Sequence, residues 1–135
     1  MYRDMVVDEM RKMALIIAKL MGIKAQGTQQ EFTKEFENIL LEEYNTELEA
    51  LLVLNEEKFK QLINSGKYNS EKLNALSQML YMFAEPFKND GETELLLKKV
   101  LAIFDVLEEK YHFQSLDNIT KRNTIYKYFE NYYEG

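Results

Sequence analysis

Residues 80–100 read LYMFAEPFKNDGETELLLKKV and carry the chain's only proline, Pro86, on an otherwise continuous apolar face. Upstream of it, Leu73, Leu76, Leu80, Phe83 and Phe87 recur at steps of three and four residues, the spacing of one side of an α-helix. A proline in such a helix removes one amide donor and sets its ring against the carbonyl four residues back, here that of Met82. The pattern therefore predicts a helix capped by Ser70 that stops near Glu85. Asp90-Gly91 supplies the reversal. Glu92 and Glu94 then sit where acidic side chains favour the positive end of a new helix, Glu94 one turn before Lys98, and Lys110 falls near its negative end. Val100, Phe104, Leu107 and Tyr111 mark the inner face of that helix, so the stretch reads as the bend of an antiparallel hairpin.

The same periodicity extends to both ends of the chain. Val6, Met10, Met13, Ile17 and Leu20 trace an amphipathic helix over residues 1–23, with Gly22 and Gly27 bracketing its end. From Met13 to Ile23 the other faces are apolar too, Lys19 being the main exception, and such a helix requires burial on more than one side. Ordinary core packing is the first reading of Met10, Met13, Ile17 and Leu20, and the alternative is that this helix packs through them against a second copy of the protein; Met5 and Met21 add to an adaptable methionine set. The run RKMALIIAKLMGI superficially resembles a signal peptide. Asp4, Asp8 and Glu9 precede it, Lys19 interrupts it, and it is too short to span a bilayer, so a folded helix is expected.

Residues 28–66 read as a helical segment. Thr28 and Glu31 form a capping box ahead of Phe32, Phe36, Ile39 and Leu40, which predicts a helix over 29–44. Thr46 and Glu49 suggest a second box, opening a short helix with Leu48, Leu51 and Leu52. Asn55 punctuates it, and residues 56–64 present Phe59, Leu62 and Ile63 before Gly66. After the hairpin, Ser115 or Asp117 caps a last helix aligned on Ile125, Phe129 and Tyr133. The whole is an all-α single domain over 1–135, of six to seven helices, with a helical-hairpin segment over 70–135.

Composition narrows the function classes. One proline and five glycines among 135 residues are too few turn formers for an all-β fold. Acidic residues outnumber basic ones 23 to 17, giving a net charge of −6 and no basic run, which argues against a nucleic-acid partner. Cysteine is absent, excluding disulfides and thiolate metal sites and fitting a reducing cytoplasm.

The hairpin is similar to one unit of the tetratricopeptide repeat family, which places large-x-x-large-small-x-x-aromatic on its first helix. Leu80, Phe83, Ala84 and Phe87 stand in those places, with Gly91 at the turn and Leu96, Val100 and Ile103 at the key positions of the second helix. Leu96 and Ile103 are bulkier than the small residues the family has at those places, and Pro86 is foreign to the pattern. The resemblance covers about a third of the chain. It implies a peptide- or protein-binding groove lined by Gln78, Tyr81, Met82 and Glu85, neutral to acidic and suited to a basic or apolar partner. Over nearly its full length the chain also resembles a group of small bacterial helical proteins of unknown function. Met1-Tyr2, Asp4, Ala18-Lys19-Leu20 and ELEALLVLNEEKFKQLINSGKYNSEKLNALSQML carry that likeness, which implies a fold and no chemistry.

Catalytic constellations are sparse. His112 is the only histidine and falls at a helix end, where a cation is favoured. Glu109 and His112 have the Glu-x-x-His spacing of di-metal sites, but those need the motif twice. Glu42-Glu43 and Glu108-Glu109 read as solvated charge, and the glycines nowhere cluster into a phosphate loop. The tyrosines of the last helix are more informative, because Tyr126, Tyr128 and Tyr132 cannot all face the core with Ile125 and Phe129, and tyrosine is enriched at interfaces. The sequence thus points to a non-enzymatic module that binds another protein or itself, without cofactor or metal. The alternative is a helical bundle binding a small molecule or metal, possibly an enzyme, with Tyr81, Glu85 and His112 as its polar groups.

Overall fold

The computed structural model describes residues 2–133, and side chains from Val7 to Tyr132. The inner-face assignments of Val6 and Tyr133, and Met5, lie outside the described side chains. Seven helices and no strand occur among the described residues: α1 Tyr2–Gln26, α2 Gln29–Tyr44, α3 Leu48–Val53, α4 Glu56–Asn64, α5 Ser70–Ala84, α6 Gly91–Tyr111 and α7 Leu116–Tyr133.

Local chemistry sets most of the boundaries. Thr28 Oγ1 accepts from the Glu31 amide at 3.1 Å while Glu31 accepts from the Thr28 amide at 3.2 Å, so the expected capping box closes α2 reciprocally. The second box does not form. Thr46 instead donates its amide to the Leu40 carbonyl at 3.3 Å, completing the left-handed turn at Asn45 that ends α2, and α3 starts at Glu47 without a side-chain cap. Asn69, not Ser70, caps α5, its Oδ1 accepting from the Lys72 amide at 2.8 Å. An Asn side chain serves an N-cap as well as serine does, and Ser70 becomes the first helical residue. Asp90 caps α6 by accepting from the Thr93 amide at 2.8 Å, and those bonds hold its carboxyl below the usual range. At α7 it is Ser115, not Asp117, that accepts from the Asn118 amide, at 3.0 Å.

Pro86 does what its chemistry dictates. Helix α5 ends at Ala84, Glu85 is extended, and the Glu85–Pro86 peptide is cis. Phe87 therefore leaves the α5 stripe and packs edge-on to Tyr81 and Tyr128, at ring separations of 5.3 and 5.7 Å.

Helices α1 and α2 form an antiparallel pair, tied by Lys12–Glu43 at 3.0 Å and Lys19–Glu35 at 3.1 Å. Helix α5 runs parallel to α1. At one end Tyr44 donates to the Lys72 carbonyl at 2.7 Å beside Met13, and at the other Lys24 donates to the Glu85 carbonyl at 2.6 Å and to that of Met82. Helix α6 returns antiparallel to α5, and α7 returns again, with Asn118 on Asn74 at 3.0 Å and Tyr128 on the Lys88 carbonyl at 2.8 Å. The short α3 and α4 pack on α6. Phe32, Phe36, Leu73, Leu76, Met79, Leu97 and Phe104 are fully buried between these layers. Burial of each such side chain contributes about 1.5–3 kcal/mol, which makes this cluster the main source of cohesion.

Four lysines add a second kind of joint. Lys72 donates to the Glu43 carbonyl at 3.0 Å, Lys99 to Leu54 at 3.0 Å, Lys110 to Asn64 at 2.9 Å, and Lys24 to Glu85. Each places its ammonium at the C-terminal end of a neighbouring helix, where unpaired carbonyls and the helix dipole favour a cation.

Candidate functional site

Helix α1 divides its apolar residues between two faces. Met13, Ile17 and Leu20, named for the alternative contact with a second copy, are 4%, 8% and 0% exposed and face α2 and α5 within the chain's own core, as the ordinary packing reading has it. They lie there because the step of three and four that relates them puts them on the side of α1 that meets Tyr44 of α2 and Ala75 of α5, and one copy already covers it. Met10 alone of the four is free, at 55% exposure, alongside Val7, Leu15 and Met21 at 46%, 66% and 58%. Between these large side chains stand Ala14, Ala18, Gly22 and Ala25, all exposed, and no atom lies within 4 Å of the place a Cβ on Gly22 would occupy. The charged residues Lys12 and Lys19 point instead toward α2, where they meet Glu43 and Glu35. Arg11 and Asp8, one heptad before Leu15, are the charges on the outer face. Sequence reasoning saw that residues 13–23 are apolar all round but assigned the contact to the inner stripe.

One edge of this face drops into a groove of about 370 Å³ between α1 and α5. Met10, Met13, Ala14, Ile17, Ala18 and Met21 line it from α1 and Asn74, Ala75 and Gln78 from α5, together with Phe113. Gln78 is therefore the residue of the expected α5 groove that lines an opening on this side. Tyr81 and Met82 are 8% exposed each: Lys121 of α7 lies over the Tyr81 ring at 5.4 Å, and Lys24 engages the Met82 carbonyl. Burial raises the pKa of the Tyr81 hydroxyl. Glu85 is exposed at a different opening beside Pro86. The four residues do not share one surface, because α1 and α7 flank α5 on both sides and Pro86 ends it.

The tyrosines of α7 separate likewise. Tyr126 and Tyr132 are exposed, Tyr126 accepting from Arg122 at 3.1 Å, whereas Tyr128 is buried and hydrogen-bonded. His112 is exposed and takes the left-handed conformation that ends α6, at φ 52°, with no group of metal-ligating side chains around it or elsewhere among the described residues. Glu43 and Glu108 are engaged by Lys12 and Arg122, and Glu42 and Glu109 are exposed. Among the described residues no helix is long and apolar enough to cross a membrane.

Set against protein-family models, curated proteins and solved structures, the chain matches none of them.

Proposed function

We propose that the protein is a non-enzymatic interaction module that self-associates through the outer face of α1. The observation carrying this reading is the exposed, nearly charge-free strip from Val7 to Ala25, large side chains alternating with small ones. A two-fold contact must be self-complementary, and this strip satisfies that condition. Two α1 helices crossed antiparallel about a dyad at the level of residue 16 set Val7 opposite Ala25, Met10 opposite Gly22 and Ala14 opposite Ala18. The outer pairs match a large residue to a small one, and the central alanines allow close approach of the helix axes. Exposed apolar surface of this extent on a monomer marks an interaction site more often than an accident of composition. The resemblance of the α5–α6 hairpin to tetratricopeptide units agrees with a protein-binding role.

Paired cysteines introduced as Ala14→Cys and Ala18→Cys test the register directly, since the chain has no cysteine of its own. Oxidation should yield a covalent dimer from the double variant at micromolar concentration. Cross-linking no faster than for a control cysteine at the exposed Glu57 of α4 would refute the contact.

A further inference from the structure

On the far side of the molecule, α3 and α4 leave an opening of about 430 Å³ against α6. Leu54, Phe59, Leu95, Leu101 and Ala102 give it apolar walls. Five charged side chains line it, and four of them have an opposite partner. Glu56 pairs with Lys60 at 3.1 Å, Lys98 with Glu94 at 2.8 Å, and Asp105 with Arg122 at 3.1 Å. The fifth, Lys99, is 5% exposed and makes no ion pair among the described residues. Its ammonium donates to the Leu54 carbonyl at 3.0 Å and lies 5.0 Å from the centre of the Phe59 ring. An ammonium has three donors, so closing α3 uses one and the ring faces another. A third is not accounted for by these contacts, and Lys99 lines the opening. Burial lowers the Lys99 pKa, and a charge in such a place is favoured once an anion joins it.

We propose that this pocket binds a small monocarboxylate with an unbranched apolar tail, the carboxylate on Lys99 and the tail against Phe59, Leu101 and Ala102. Lys99 is the cation lining the opening that has no ion pair among the described residues, and a single such cation matches a single negative charge rather than a phosphate or a dicarboxylate. The volume lies within the roughly 300–1,000 Å³ of ordinary small-molecule pockets. This site is separate from the α1 face, and either can fail without the other.

Titration of the protein with octanoate below its micellar concentration, followed by amide chemical shifts, tests the proposal. Octan-1-ol on the same protein removes only the ligand's charge, and the Lys99→Met variant removes only the protein's. Saturable shifts centred on residues 54–59 and 95–102 are expected for octanoate, with binding at least ten-fold weaker in both comparisons. A ratio under ten-fold in either, shifts centred on the α1–α5 groove, or no saturation overturns it. Should Lys99→Met fail to fold, the octan-1-ol comparison decides alone.

Discussion

Lys24 Nζ lies 2.6 Å from the Glu85 carbonyl, so the last turn of α1 closes the C-terminus of α5 across 61 residues of sequence. The same ammonium lies over the Phe32 ring at 5.0 Å, which ties the entry to α2 into the same joint. One side chain thereby fixes three elements at the point where Pro86 stops α5.

Replacing Lys24 with Met keeps the apolar stem and removes the charge-assisted bonds. Hydrogen bonds to charged groups contribute about 1.5–3 kcal/mol, and partial exposure of this one puts the loss at the lower end, roughly 1–2 kcal/mol. Urea unfolding of the variant should show a lower midpoint at unchanged slope. An unchanged midpoint would mean that solvent satisfies the α5 carbonyls equally well.

The two faces of α1 separate in a pair of truncations. Leu20→Ala opens the fully buried core beside α2 and α5 and should destabilise the chain by about 2–5 kcal/mol. Leu15→Ala removes a side chain that is 66% exposed and should change the stability of the single chain by less than about 0.5 kcal/mol. Thermal melts at low protein concentration compare them. Similar losses for both would mean that α1 is rotated from its described orientation.

Alkaline pH should act in two opposite directions. Tyr44, Tyr68, Tyr81 and Tyr128 have pKa values raised above the ordinary 10.0, in each case chiefly by burial. The unfolded chain loses these protons first, so their stabilising effect is intact below pH 10.0 and is lost as pH climbs above it. Lys24 and Lys99 are lowered from 10.5, also chiefly by burial. Desolvation of their ammonium groups offsets part of what their carbonyl bonds contribute at neutral pH, and that offset is relieved as pH rises from the folded value toward 10.5. Lys12, raised by its hydrogen bond to Glu43, adds to the loss at the alkaline end. Unfolding free energy should therefore hold or rise slightly from neutral pH to about 10 and then fall steeply. A steady fall beginning near neutrality would contradict this assignment.

Much of the fold is legible in the sequence because it depends on short-range rules. The Thr28–Glu31 box, the Asn55 punctuation and the Pro86 stop each act within four residues, and α2, α4, α5 and α6 fall where those rules put them. The errors at Thr46 and Ser70 have different causes: the closure of α2 takes the Thr46 amide and leaves α3 without a side-chain cap, whereas Asn69, one residue earlier, caps α5 in place of Ser70. Candidate-site residues are harder, since a stripe such as Met13, Ile17 and Leu20 looks the same whether it meets its own chain or another. Lys99 shows half its role in the sequence. Three residues after Leu96 and four before Ile103, it shares their inner face of α6, but only the arrival of α3 from 45 residues away gives its ammonium a carbonyl there.

Self-association carries an electrostatic signature. Each copy bears a net charge of −6, whereas the contact strip holds only Asp8 and Arg11, which offset each other. Long-range repulsion should therefore oppose pairing at low salt, and raising ionic strength from about 0.01 M to 0.15 M shortens the screening length from about 30 to 8 Å. The dimer should tighten as salt is added. Weakening with salt would point to a contact made of ion pairs elsewhere on the surface.

Sedimentation equilibrium of the unmodified chain and of Ala18→Glu, at physiological ionic strength and micromolar to hundreds of micromolar concentration, tests the α1 contact most directly. The account requires a reversible monomer–dimer equilibrium in the first and a monomer with unchanged helical content in the second. A unmodified chain that stays monomeric throughout, or an equally dimeric variant, would contradict it.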